Sequence, residues 1–128
     1  MPRKSKDRRP PVAIGHVIFE ARDVAAAAEW FETIGLRPIA GGEDFAVLEL
    51  RGGTHLVVTQ TARRPRRGAE ARFDLMVDDV DVARRGFAAK GLGPSRIHRG
   101  SIHDSFELTG PEGARFTVLS SHAGRRPV

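Results

Sequence analysis

Cysteine and tyrosine are both absent from these 128 residues. Without a thiol there is no disulfide framework, no thiolate nucleophile and no sulfur ligand for a metal. No apolar run approaches the ~20 residues needed to cross a bilayer. The basic N-terminus lacks the apolar stretch of a signal peptide, so the expectation is a cytoplasmic protein with no membrane partner. Aromatic residues make up only 6% of the chain, and none is interleaved with its arginine runs to stack on bases.

The net charge of +5 and a pI near 10.9 invite a nucleic-acid reading, which the placement of the charge weakens. Met1 to Arg9 carries five basic residues against one acid, and Arg125 and Arg126 add two more near the other end. A further cluster, Arg63-Arg64-Pro65-Arg66-Arg67, lies mid-chain. Basic charge thus gathers in segments with no hydrophobic periodicity, where it solubilises, and specific nucleic-acid binding is not expected. Forty per cent hydrophobic residues suffice for the core of one compact domain.

What is present is a duplication. Asp23-Val24 through Gly35-Leu36-Arg37-Pro38 aligns without a gap to Asp79-Val80 through Gly91-Leu92-Gly93-Pro94, an offset of 56 residues. Leu48 and Gly53 match Leu108 and Gly113 at an offset of 60. A long period found only twice indicates one duplicated supersecondary unit, since a solenoid needs three or more.

Each half reads as strand, helix and three strands. Val12 to Ala21 alternates before the N-cap residue Asp23. Val24, Ala27, Trp30, Phe31 and Ile34 then form one helical face. Gly35 suits a left-handed cap and Pro38 prevents continuation. Strands follow near Arg37 to Ala40, Phe45 to Leu50 and Thr54 to Thr61, with Gly41-Gly42 and Gly52-Gly53 as turns. In the second half the pattern predicts a strand at Arg72 to Val77 and a helix at Val80 to Lys90. Strands near Ser95 to Arg99, Asp104 to Leu108 and Ala114 to Ser121 complete it. Gly86 stands where the first helix has Trp30, which predicts a poorer second helix. The expected organisation is a disordered basic tail (1–11), one domain (12–122) and a C-terminal tail (123–128). The domain comprises a first module (12–61), a linker (62–70) and a second module (71–122).

The motifs Ile14-Gly15-His16-Val17-Ile18-Phe19, Trp30-Phe31 … Gly35-Leu36, Leu75-Met76-Val77-Asp78-Asp79-Val80 and Gly110-Pro111-Glu112-Gly113-Ala114-Arg115-Phe116 resemble the vicinal oxygen chelate superfamily. Glyoxalase I, extradiol dioxygenases, fosfomycin-resistance enzymes and bleomycin-binding proteins belong to it. The resemblance covers about 13–122. It implies an α+β fold of tandem βαβββ modules, forming a cup-shaped half-barrel with the helices outside. It is specific for fold and not for chemistry.

In metal-dependent members the ligands come from the first and fourth strand of each module. Carried onto this chain, those positions fall on His16, Val57, Arg72 and Thr117, of which only His16 can ligate. His55 is reached only by sliding the fourth strand by two, which moves it about 6–7 Å. The standard metal site is therefore expected to be absent. A non-standard site joining His16 and Asp74, closed by His103 or His122, is the open alternative. His16 and Glu20 lie about 13 Å apart along their strand and cannot grip one ion together.

Period-two alternation assigns His16, Glu20, His55, Val57, Arg72, Asp74, Arg115 and Thr117 to the lining of the cup. Val17, Phe19, Leu56, Val58, Phe73, Leu75, Phe116 and Val118 alternate with them as core. Trp30, on the helix face, is assigned to the core. Arg72 or Arg115 can receive a polar or anionic ligand, unless Arg72 is spent on Asp74 or Glu20. The expected function is binding of a small polar or anionic organic molecule without a metal, in a homodimer that covers the sheet edges. The alternative is an enzyme, of lyase, isomerase or dioxygenase type, using His16 as general base or a non-standard metal.

Overall fold

A computed structural model describes residues 6–121. Residues 1–5 of the N-terminal tail, His122 and the C-terminal tail lie outside the described residues. The first module runs β1 (His16–Ala21), α1 (Val24–Thr33), β2 (Arg37–Gly41), β3 (Phe45–Glu49) and β4 (His55–Gln60). The second runs β5 (Leu75–Val77), α2 (Val80–Ala89), β6 (His98–Arg99), β7 (Asp104–Thr109) and β8 (Arg115–Ser120). Each forms a four-stranded sheet of the same order, β1-β4-β3-β2 and β5-β8-β7-β6, with a parallel first pair and antiparallel remainder.

The helices start alike for one reason. Asp23 accepts from the Ala26 amide and Asp79 from the Val82 amide, each at 3.0 Å, which satisfies an otherwise orphaned donor of the first turn. Both helices are ten residues long, so the expected weakness of α2 does not shorten it. Packing against its sheet through Phe87, which meets Phe106, holds α2 despite Gly86.

The alternation expected along β1, β4, β5 and β8 holds. Leu56, Val58, Phe116 and Val118 are fully buried, with Val17, Phe19, Phe73 and Leu75 packed against them. A single core joins the modules. Phe116 of β8 lies among Phe19, Trp30 and Phe31 of the first module, with ring centroids 5.1 to 5.7 Å away. Trp30 stacks on that ring, which makes it core as expected.

Two crossed contacts reinforce the junction. A short 3-10 turn at Pro111–Gly113 precedes β8, and its Glu112 accepts from the Arg22 amide ahead of α1 at 2.5 Å. The matching turn at Arg51–Gly53 precedes β4, and Arg51 pairs through two bonds with Asp78 ahead of α2. Each module thus reaches from the same turn to the start of the other module's helix.

Two strand limits differ from the sequence pattern. The ladder of the first strand begins at His16 rather than Val12, where β4 begins at His55; ahead of it the Thr54 hydroxyl donates to the Ile14 carbonyl. The strand expected from Arg72 is a ladder only from Leu75. Among the described residues, no helix is long and apolar enough to cross a membrane.

Candidate functional site

The faces of β1 and β4 opposite the helices carry His16, Ile18 and Glu20 beside His55, Val57 and Thr59. Register is what counts here. His16 lies directly opposite His55, and Val57 lies opposite Ile18. His55 therefore needs no slide to reach His16, and the expected pairing of His16 with Val57 is corrected by one row. The parallel ladder sets that row, which the single-strand pattern could not reveal. The two imidazole centroids are 5.8 Å apart, and His55 Nε2 lies 3.8 Å from Glu49 on β3. Arg37 pairs with the same carboxylate. His16 is exposed, whereas His55 is half-buried between its neighbours.

The second sheet does not mirror the first. Glu70 bridges Arg115, and the next pairing is Leu75 with Val118. Four residues on one side therefore lie opposite two on the other. The surplus bends the chain at Arg72 and Phe73, so Arg72 occupies a bulge and not the ladder position equivalent to His16. The mirror relation read from the offset of 56 holds in sequence and fails in space.

Ion pairing separates the charged candidates. Arg115 lies 3.1 Å from Glu70 and 3.5 Å from Glu107, so it is committed within its own sheet and is withdrawn as a free anion receptor. Among the described residues, nothing binds the side chains of Arg72, Asp74 or Glu20, all exposed. The internal pairing of Arg72 with Asp74 or Glu20 is absent. Thr117 and Val57 are half-buried on the two inner strands. His103 is held by Ser120, its Nδ1 2.6 Å from the Ser120 carbonyl. His122 lies outside the described residues.

Sequence reasoning missed Glu49, the carboxylate that faces His55 across β3 and β4. Its signal was available, because Phe45, Val47 and Glu49 alternate with the buried Leu48. It also missed the cleft beside β1, of about 770 Å³, walled by β1, the linker and the turn before β8.

This architecture matches solved structures along most of its length. A lactoylglutathione lyase from Agrobacterium tumefaciens superposes with a TM-score of 0.72 at 20% identity, covering 91% of this chain and 99% of that one. A glyoxalase/bleomycin resistance protein/dioxygenase from Nocardioides gives 0.70 at 18% identity, covering 94% and 89%. A bleomycin-binding protein from bleomycin-producing Streptomyces verticillus, solved with copper(II)-bleomycin, gives 0.64 at 21% identity, covering 88% and 99%. The chain has the vicinal oxygen chelate fold. No protein-family model and no curated protein sequence matches it. On a vicinal oxygen chelate scaffold a resident metal draws donors from both sheets. Here the first sheet offers His16, His55, Glu20 and Glu49, with Glu49 already paired with Arg37, while the second offers Asp74 and a Glu107 that faces Arg115. Among the described residues, no three His, Asp or Glu side chains converge.

Proposed function

We propose that the protein binds a small polar or anionic organic molecule on the open face of the cup, without a resident metal. The observation that carries this is the unpaired guanidinium of Arg72, a fixed cation with a planar fork that shares a cleft with exposed Ile18, while exposed Met76 lines the neighbouring one. Over half of the surface of each apolar side chain is uncovered, a cost that a ligand or a second copy of the chain relieves. The bleomycin-binding relative in fold supports ligand capture as a use of this scaffold. A homodimer is part of the proposal, since β1, β2, β5 and β6 are edge strands.

The test is mass spectrometry of whatever the purified protein retains, followed by titration of that molecule. Arg72→Ala is expected to weaken binding by about 1.5–3 kcal/mol with the fold intact. Unchanged affinity would remove Arg72 from the site.

A second reading has its own support. The exposed imidazole of His16 stands beside His55, which Glu49 faces, an arrangement that suits a general base. Under it, His16→Ala abolishes turnover of the retained molecule and changes its affinity less than Arg72→Ala does.

A further inference from the structure

The duplication leaves two equivalent clefts, and their linings have diverged. One lies beside β5 and is walled by Phe73 to Val77, Val17 and the turn at Arg51–Gly52. The other lies beside β1 and is walled by Val17 to Glu20, Phe73 and the turn at Pro111–Glu112. Sequence offsets of 56 and 60 relate these linings. They are alike in size, about 760 and 770 Å³. The first is apolar, adding Ile34, Leu36, Leu50 and Phe87. The second adds Arg63, Arg64, Arg66 and Arg72.

We infer that the β1-side cleft holds a compact polyanion, an organic phosphate or polycarboxylate, between Arg72 and the linker arginines. This deepens the proposed function and rests on Arg72 receiving an anionic oxygen. Three observations support it. Among the described residues, the four guanidiniums have no ion pair or side-chain hydrogen bond. Two of the three glutamates in the cleft are spent elsewhere, Glu70 on Arg115 and Glu112 on the Arg22 amide, which leaves Glu20 as the one uncommitted carboxylate. Four guanidiniums against three carboxylates, one of them already paired with Arg115, leave the cleft net positive, and a multivalent anion relieves the repulsion among the guanidiniums.

The backbone supplies the third observation. The linker is pinned, with Gly68 donating to the Gly113 carbonyl and Ala69 to the Arg66 carbonyl, at 2.9 and 3.1 Å. Arg66 is thus presented from a braced turn, with Arg63 and Arg64 just ahead of it. β1 has β4 as its one hydrogen-bonded neighbour, so alternate amides along its free edge are unspent donors at the cleft. The walls formed by Phe19, Phe73, Pro65 and Pro111 give the ligand's carbon body an apolar surface.

Pyrophosphate and citrate are the probes, titrated calorimetrically into the full chain at low salt, with a short DNA duplex as a third arm. Saturable binding of either small anion at one site per chain is expected. The Arg63→Ser/Arg64→Ser/Arg66→Ser variant is expected to weaken it at least roughly tenfold, the loss of one charged hydrogen bond or more. Arg8→Ser/Arg9→Ser, on the tail, is expected to change it less than about twofold. Citrate bound more tightly than pyrophosphate assigns carboxylates, and the reverse assigns phosphates. If Arg72→Ala weakens binding and the linker variant does not, the inference falls while the proposed function stands. If neither variant matters, both fall. Equal loss in the tail variant, or tighter binding of the duplex than of either small anion, overturns the inference in favour of diffuse attraction to nucleic acid. Thermal melting of each variant within a few degrees of the parent shows that affinity, not folding, has changed.

Discussion

Gly110 shows how tightly one residue can be specified. A Cβ placed there meets Phe116 Cε2 at 2.5 Å and Trp30 Cη2 at 3.2 Å. These are the two stacked rings that join the modules, and the buried Phe116 has no free direction in which to retreat. Gly110→Ala is expected to lower stability by about 1–3 kcal/mol, the usual cost of overpacking, as measured by denaturant unfolding. A loss below about 0.5 kcal/mol would show that the rings part easily. Glu112, two residues on, takes a left-handed conformation (φ 59°) that non-glycine residues rarely adopt. Its bond to the Arg22 amide offsets that cost. The sequence showed a turn here through its Pro-Glu-Gly motif. It did not show that the glutamate bridges to the other module, because that partner lies 90 residues away.

Among the elements, α2 carries an evident weakness. Gly86 sits in mid-helix with nothing within 4 Å of a built Cβ, and its residue is exposed. Gly86→Ala is therefore expected to add about 1 kcal/mol through helix propensity and a less flexible unfolded chain. In thermal unfolding that corresponds to a rise of roughly 3–6 °C. No change would mean that the helix is held wholly by tertiary packing. The elements themselves were legible in sequence, since Val24, Ala27 and Phe31 recur at helical spacing and are the buried residues of α1. The short β5 was not legible. Arg72, Phe73 and Asp74 alternate as a strand would, and only pairing with β8 reveals the bulge.

Over the whole molecule, the shared core predicts one cooperative unfolding transition for both modules, observed by calorimetry. The crossed pair of Arg51 with Asp78 gives that transition a pH dependence. Its hydrogen bonds and charge hold the Asp78 carboxyl below the ordinary carboxylate range. A lowered native pKa contributes stability that is present above the unfolded value of about 3.9 and lost as pH falls through the native one. Asp78→Asn is expected to melt earlier than the parent near pH 7, and the gap is expected to close as the medium is acidified below about pH 4. The gap is small, since both side chains are largely exposed. A gap that persists in acid would show that the asparagine disturbs packing instead.

The sequence by itself determined the duplicated βαβββ plan and the division of alternating strand residues between core and cup. Both follow from local periodicity: the helix repeat and the two-residue strand repeat are written in consecutive residues, and the second copy repeats them. Tertiary structure decided which residues of the cup meet. His55 joined His16 through the register of β1 with β4, Arg115 was removed by Glu70 and Glu107, and Arg72 was set free in a bulge. Register, ion pairing and bulges depend on strands brought together from distant parts of the chain. A shift of one residue, invisible within either strand, changes every partner across the ladder.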